Sequence, residues 1–211
     1  MPDIGSEKSL WLESAPLILA SNSEGRRLVL EQTAIPFVTR PAKVDERKIE
    51  AEIAAKGGGP DDVVLALSCE KALTVSSLEP GAIVLGADQA ASCAARLFGK
   101  PEDIEAAAGQ LRFLGGRTHR LHSGYALARD GVLLAKGVAH AALDMRPLNE
   151  EFLLAYLAQV GEKALTSAGA YQVEGLGAHL FSAVRGDHWT IMGLPLLGVL
   201  EALRRAGALR G

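Results

Sequence analysis

Four consecutive apolar residues, Leu17–Ala20, stop abruptly at the polar trio Ser21, Asn22 and Ser23. A short apolar run closed by turn residues reads as a buried strand. Ser23 is a plausible N-cap for a helix reaching about Gln32, with Leu28, Val29 and Leu30 supplying its apolar surface. A buried strand that turns directly into a helix calls for layers of sheet and helix, and the rest of the chain repeats the pattern.

Phe37–Arg40 reads as a second strand. Asp45 can cap a helix from Glu46 to about Lys56, on which Ile49 and Ile53 share a face. Gly57-Gly58-Gly59-Pro60 ends it, and Asp61 or Asp62 starts a helix that carries Lys71 before Pro80-Gly81. Ala82–Leu85 is a buried strand with Gly86-Ala87-Asp88 at its carboxyl end. A helix is expected from about Asp103 to Leu114, closed by Gly115-Gly116. Thr118–Arg129 and Val132–Leu143 flank Asp130-Gly131, a strong hairpin signal. Asn149 caps a helix holding Phe152, Leu153, Tyr156 and Leu157. The glycine-rich stretch from Gly169 to Gly177 leads to the apolar run Leu180–Val184, and Pro195 opens a last helix to about Arg205. Early alternation followed by a hairpin predicts a mixed-sheet α/β protein without a clean internal boundary.

The 211 residues suffice for one large domain or two intimately packed lobes. Aromatics are only 5%, so Leu, Val, Ile and Ala must build the core. A net charge of −3 argues against a nucleic-acid polymer as partner, while leaving room for a small anion met by a few converging cations. Cys69 and Cys93 form no metal or disulfide pattern and read as free thiols in a reducing cytoplasm. The first 15 residues have no apolar leader segment and read as a frayed extension; no apolar run is long enough to span a bilayer.

Three groups of residues could carry chemistry. Ser21-Asn22-Ser23-Glu24-Gly25-Arg26-Arg27 places hydroxyls and free N–H groups at a helix N-terminus, a natural anion site. There Arg26 and Arg27 oppose the helix dipole, a conflict that a bound phosphate would remove; an ordinary cap with solvated arginines is the plainer reading. Asp88 follows a buried strand at the end of the sheet where ligands usually meet open α/β sheets, and could equally cap a turn. Asp45, Glu46, Lys71 and Lys100 are singly ordinary surface charges. Together they offer carboxylates for a divalent metal and cations for phosphate oxygens. His119 and His122, at odd separation on a strand, point to opposite faces and read as structural or exposed rather than as a metal pair. His140, His179 and His188 have no local partner pattern, and Gly175-Leu176-Gly177 lacks the Gly-Lys-Ser/Thr of a phosphate-binding P-loop.

The ordered set of these segments resembles the Maf family of nucleoside triphosphate pyrophosphatases, from about Leu17 to Leu209. LILASNSEGRRLVLEQTAIPF is similar to the family's L-A-S-x-S-P-R-R opening and its I-P-F. Asp45-Glu46 resembles its D-E pair, Lys71-Ala72 its K-A, and VLGADQ and Gly99-Lys100-Pro101 its G-A-D-x and G-K-P. Leu114–His119 is similar to L-x-G-R-T-H, and GAYQVEGLG and Gly193-Leu194-Pro195-Leu196 to its closing motifs. Glu24 and Gly25 depart from the family's usual Pro-Arg, while its second arginine is retained as Arg26. The departure puts substrate preference in doubt more than catalysis, and the acid at Glu24 could weaken phosphate binding.

The resemblance implies an elongated mixed β-sheet flanked by helices, two lobes around a cleft, in the nucleotide-binding fold shared with inosine-triphosphate pyrophosphatases. A single domain would run over 16–211. It implies cleavage of a nucleoside triphosphate to monophosphate and pyrophosphate, with Asp88 as the catalytic acid-base residue. Glu46 and Asp88 would be carboxylates for Mg²⁺ or Mn²⁺. Ser21, Ser23, Arg26, Lys71 and Lys100 would bind phosphate. Three positions tied to base choice, here Gly25, Gln89 and Glu174, match the 7-methyl-GTP branch at two of three, against a dTTP/UTP-preferring or relaxed enzyme. A pyrophosphatase of the inosine-triphosphate type fits less well, because its usual Lys after the Asn is missing. A non-catalytic nucleotide-binding regulator of cell division is disfavoured by the joint presence of Asp88, Lys71 and Lys100. A homodimer is compatible with this reading.

Overall fold

A computed structural model describes residues 9–211. The chain forms β1 (Leu17–Leu19), α1 (Glu24–Glu31), β2 (Phe37–Thr39), α2 (Glu46–Ala55) and α3 (Pro60–Ser76). It continues as β3 (Val84–Cys93), β4 (Arg96–Phe98), α4 (Ile104–Leu114), β5 (Thr118–Arg129) and β6 (Val132–Met145). It ends as α5 (Glu150–Val160), β7 (Phe181–Arg185), α6 (His188–Ile191) and α7 (Leu196–Arg205). Seven strands make one mixed sheet in the order β2-β1-β3-β5-β6-β7, with β4 folded back on the far end of β3. β1 pairs in parallel with β2 and β3, and all other pairs are antiparallel. The mixed α/β class is therefore as the sequence predicts.

The long strands β3, β5 and β6 span two cores. Leu17, Leu19, Leu30, Leu85, Leu127, Leu194 and Leu203 fill one, around α1 and α7. Leu111, Leu114, Leu121, Leu143, Leu153 and Tyr171 fill the other, beneath α4 and α5. Each core supports a lobe, and the shared strands give the sheet its length. At one end of the β5–β6 hairpin, Asp130 (φ 52°) and Gly131 (φ 73°) both adopt the left-handed conformation that a two-residue turn requires.

Two expectations change. β3 does not stop at Leu85 but runs on to Cys93, because residues 84–92 stay registered against β5. Asp88 thus sits inside a strand, opposite Gly124, rather than in a loop. Residues 9–15 are not frayed: Trp11 is buried in the first core, bridges Leu209, and donates its indole N–H to the Ala15 carbonyl (2.9 Å). The part of the expected extension before Ser9 lies outside the described residues.

α3 lies unusually close to the sheet. A Cβ on Gly86 would stand 2.2 Å from the Ser68 carbonyl oxygen and 2.6 Å from the Ala72 nitrogen, and one on Gly124 would stand 2.6 Å from the Val64 carbonyl oxygen. These are backbone atoms and cannot swing aside. Small residues on both sides, Ser68 and Ala72 against Gly86, Gly124 and Ala126, permit the approach. Gly86→Ala should therefore lift α3 and cost about 1–3 kcal/mol. Urea denaturation at neutral pH checks this; an unchanged midpoint would mean that the helix rides the sheet more loosely.

Candidate active site

The lobes face each other across a cleft of about 950 Å³. The β1–α1 turn (Ser21–Arg26), α2, α3 and the Met192–Gly193 turn line one side, and Phe98–Lys100 and residues 163–174 line the other. Ser21, Ser23, Gly25, Arg26, Glu46, Lys71, Asp88, Gln89, Lys100 and Glu174 all border it. Residues as far apart as 21 and 174 thus meet in one place.

The floor is a charge cluster. The Lys71 ammonium lies 2.6 Å from Asp88 Oδ1 and 2.7 Å from Glu46 Oε1. Lys71 and Asp88 are buried, while the Glu46 side chain is half exposed. Lys71 reaches Asp88 because α3 is pressed onto β3. One ammonium between two carboxylates leaves an excess of acidic oxygen, and Glu50, one turn beyond Glu46 on α2, adds to it. Loss of hydration, then repulsion from Asp88 and Glu46, raises the Glu50 pKa above the usual carboxylate range.

Arg26 is buried, and its pKa is lowered by desolvation against the pull of Asp88 and Glu46. Its Nε donates to the Gly193 carbonyl (3.0 Å) and its Nη1 to Ser21 Oγ (3.0 Å). Among the described residues no carboxylate lies within ion-pair distance of it. The Ser21 hydroxyl also accepts the Ser23 N–H (3.2 Å), while Ser23 itself makes no side-chain cap. Lys100 remains open to solvent at the cleft edge. Partial loss of hydration, then repulsion from Arg26, lowers its pKa below the ordinary lysine range. The cleft therefore holds fixed cations above a floor of acidic oxygens, an arrangement suited to a polyanion bearing a hard cation.

The base-choice positions differ in kind. The Gln89 amide NH₂ points at the Ser123 hydroxyl (2.8 Å) and the Thr190 (2.9 Å) and Ile191 (3.1 Å) carbonyls, so it braces the wall with its nitrogen. A Cβ on Gly25 would come within 2.8 Å of the Met192 carbonyl oxygen, so α1 leans on that turn. Glu174 is exposed at the opposite rim.

Other candidates are placed outside the cleft. Asp45 caps α2 by accepting the Lys48 N–H (3.1 Å). His119 and His122 do point to opposite faces, but both are buried. His119 shares a 2.5 Å hydrogen bond with the Tyr171 hydroxyl, and burial pushes its pKa down to about 4. His140, for which the sequence offers no local partner pattern, converges with His122 and Asp61, the one such group of three among the described residues. Glu50 was legible as the i+4 neighbour of Glu46 on a predicted helix. Of the Thr190–Gly193 turn that anchors Arg26 and Gln89, only Gly193 belonged to a recognised segment, and nothing in the sequence pointed to the Thr190 and Ile191 carbonyls.

The profile of the family described as Maf-like protein matches residues 16–206. The chain belongs to the Maf family. Relatives agree along nearly their whole length. A nucleoside triphosphate pyrophosphatase of Rhodopseudomonas palustris is 53% identical over 196 residues, covering 93% of this chain and 96% of its own. A 7-methyl-GTP pyrophosphatase of Rhizobium etli is 48% identical over 195 residues, covering 92% and 98%. A nucleoside triphosphate pyrophosphatase of Nitrobacter winogradskyi is 47% identical over 196 residues, covering 93% and 96%. Most of the Maf segments recognised in the sequence contribute to the cleft lining, among them the β1–α1 turn, Glu46, Lys71, Asp88, Lys100 and Tyr171–Glu174, whereas Leu114–His119 does not border it. Among the described residues, no helix is long and apolar enough to cross a membrane.

Proposed function

We propose that this Maf chain hydrolyses nucleoside triphosphates to the monophosphate and pyrophosphate. The observation that carries the reading is Arg26: a buried guanidinium that makes no carboxylate ion pair among the described residues, held by the Gly193 carbonyl and Ser21 near the Lys71–Asp88–Glu46 cluster. A buried cation at a cleft, without a directly paired carboxylate, favours an anionic ligand.

In this reading Arg26, Lys71 and Lys100 clamp the phosphates, with the Ser21 and Ser23 hydroxyls positioning phosphate oxygens. The all-oxygen donor set of Glu46 and Asp88, with too few cations to balance it, fits a hard divalent ion. Mg²⁺ or Mn²⁺ held there supplies positive charge for phosphate oxygens and acidifies a water. Lys71 engages only Oδ1 of Asp88, which leaves the second oxygen to take the proton of the water that attacks the α-phosphorus. The bond from that phosphorus to the bridging oxygen breaks. The cations stabilise the negative charge that develops on the departing pyrophosphate, so no covalent intermediate is required. The proposed setting is the cytoplasm, consistent with free thiols at Cys69 and Cys93.

For the base, we favour 7-methyl-GTP over dTTP, UTP and GTP. N7 methylation leaves guanine cationic near neutral pH, and the Glu174 carboxylate at the rim can pair with that charge and accept the ring N–H groups. The close contact of Gly25 with the Met192 carbonyl leaves no room for a stacking side chain there unless the turn shifts, so the base is held mainly from the Glu174 side.

Asp88→Asn should cut turnover about a hundredfold or more while shifting Tm little, since Lys71 keeps Glu46 as a partner. Pyrophosphate release and a melting curve measured together decide it; activity within about threefold of the parent would remove Asp88 from the chemistry. If nucleotide still binds while even the parent releases no pyrophosphate, the chain is a binding regulator.

Lys100 must be protonated to hold phosphate, and its lowered pKa means that the charge is lost at a pH below the usual lysine range. On the alkaline side kcat/KM should fall as pH rises toward that value, and Lys100→Arg should move the fall to higher pH. An identical alkaline limb in both proteins would assign the decline to another group.

The base assignment is tested by kcat/KM for 7-methyl-GTP, GTP, dTTP and UTP. The ratio of 7-methyl-GTP to GTP should drop in Glu174→Gln by about tenfold, the worth of one charge-assisted contact. A best substrate of dTTP or UTP would refute the preference and leave the pyrophosphatase reading intact.

A further inference from the structure

Away from the cleft, α3 makes a second polar contact with the sheet. His122 on β5 and His140 on β6 are registered directly opposite each other. Both stand on the face that carries α3, because Gly124, two residues along from His122, meets the Val64 carbonyl of that helix. Asp61, in the first turn of α3, reaches down to them. Its Oδ1 lies 2.5 Å from His122 Nδ1 and 2.8 Å from His140 Nε2. The three ligand atoms fall within 4.8 Å of one another, and none of the three residues lines the cleft.

We infer that Asp61, His122 and His140 form a binding site for a transition-metal cation of the zinc class, separate from the catalytic centre, that pins the start of α3 to the β5–β6 hairpin.

Two imidazoles and one carboxylate form an N₂O ligand set that suits Zn²⁺ or Co²⁺ and not the hard Mg²⁺ proposed for Glu46 and Asp88. The ligands are mounted on rigid elements: two paired strands and a helix start fixed by Pro60 and by Asp62, which accepts the Gly59 N–H (2.9 Å). Ser92 Oγ lies 2.8 Å from His122 Nε2. Without a cation the Asp61 contact takes its proton from Nδ1; with a cation bound, the proton moves to Nε2, where the Ser92 hydroxyl accepts it and leaves the Nδ1 lone pair for the metal, the supporting bond that metal-bound imidazoles usually have. His122 is buried, whereas the Asp61 and His140 side chains are 52% and 39% exposed, so a cation can enter from solvent and keep water in the remaining position. The present spacings are hydrogen-bond lengths. Metal–ligand bonds of about 2.0–2.2 Å in a tetrahedral site would spread the ligand atoms by somewhat under an ångström, which the exposed ends of Asp61 and His140 can supply.

The test is titration of the metal-free full chain with Co²⁺ in the presence of excess Mg²⁺, read by visible absorption, with Zn²⁺ competition and a melting curve. One Co²⁺ per chain is expected, displaced by Zn²⁺, with Tm raised by either ion. His140→Ala and Asp61→Asn should abolish both effects while Mg²⁺-supported pyrophosphate release is retained in His140→Ala, and Ser92→Ala should weaken binding by about tenfold. Glu46→Gln should leave Co²⁺ uptake unchanged, so this inference and the catalytic reading fail separately. Absence of uptake in the folded parent, or uptake that survives both His140→Ala and Asp61→Asn, would reduce the cluster to a hydrogen-bonded tie and overturn the inference. Uptake lost only in Glu46→Gln would place the metal in the cleft and overturn it equally.

Discussion

The close approach of α3 to the sheet is the constraint on which the rest of the molecule depends. It exists because Gly86 and Gly124 present no side chain beneath Ser68, Val64 and Ala72. A helix held at ordinary distance by larger side chains would carry Lys71 too far from β3 to meet Asp88. The same approach brings the first turn of the helix down onto the hairpin, so that Asp61 meets His122 and His140. One packing decision therefore serves two polar clusters at two places along one helix. Both are fixed by backbone contact rather than by flexible side chains, as sites demanding sub-ångström placement require.

The cleft is a compromise among charges that folding alone would not choose. Arg26 and Lys71 are buried, and desolvation disfavours each. Lys71 is paired with two carboxylates, whereas among the described residues the direct partners of Arg26 are a hydroxyl and a carbonyl, with Asp88 and Glu46 acting on it from beyond contact. Loss of hydration is the larger cause of both the raised Glu50 pKa and the lowered Lys100 pKa, with repulsion from Asp88 and Glu46 adding to the first and repulsion from Arg26 and Lys71 adding to the second. A triphosphate with its divalent cation, the ligand proposed for this cleft, would place negative charge beside the cations and positive charge beside the acids.

Much of this was legible in the chain. The short strand Leu17–Leu19 and the Asp130-Gly131 turn declare themselves by pattern, and the caps at Asp45 and Asn149 by residue type; both side chains accept the expected N–H. The cleft residues were legible because their motifs recur in a fixed order, not because any single charge stood out. What escaped was decided by tertiary pairing. Asp88-Gln89-Ala90-Ala91-Ser92 has the composition of a loop, and only the long partner β5 keeps it extended. The β3–β4 turn uses Ala94 and Ala95 at positive φ, where glycine would have signalled it. Trp11 looked like part of a polar tail until the C-terminal turn at Leu209 gave it a surface to cover. His122 and His140 are 18 positions apart in sequence, and only the hairpin register makes them neighbours.

Arg26 shows how such a local conflict becomes useful. In the first turn of α1 a cation opposes the helix dipole, and Ser23 does nothing with its side chain to offset this. The guanidinium does not escape to solvent as that of Arg27 does, which pairs with Glu31 one turn on. It is drawn instead toward the Gly193 carbonyl, 167 residues away, and toward Ser21. The glycine at 25 lets α1 settle against Met192 and so brings that carbonyl within reach. A bulkier residue at 25 would push the turn outward and loosen the one contact that fixes Nε. Glycine at this position therefore exchanges side-chain surface in the cleft for a rigidly held Arg26. That exchange gives a physical reason why the chain can depart from the usual Pro-Arg of its family and still fix the retained arginine, the residue proposed to bind phosphate.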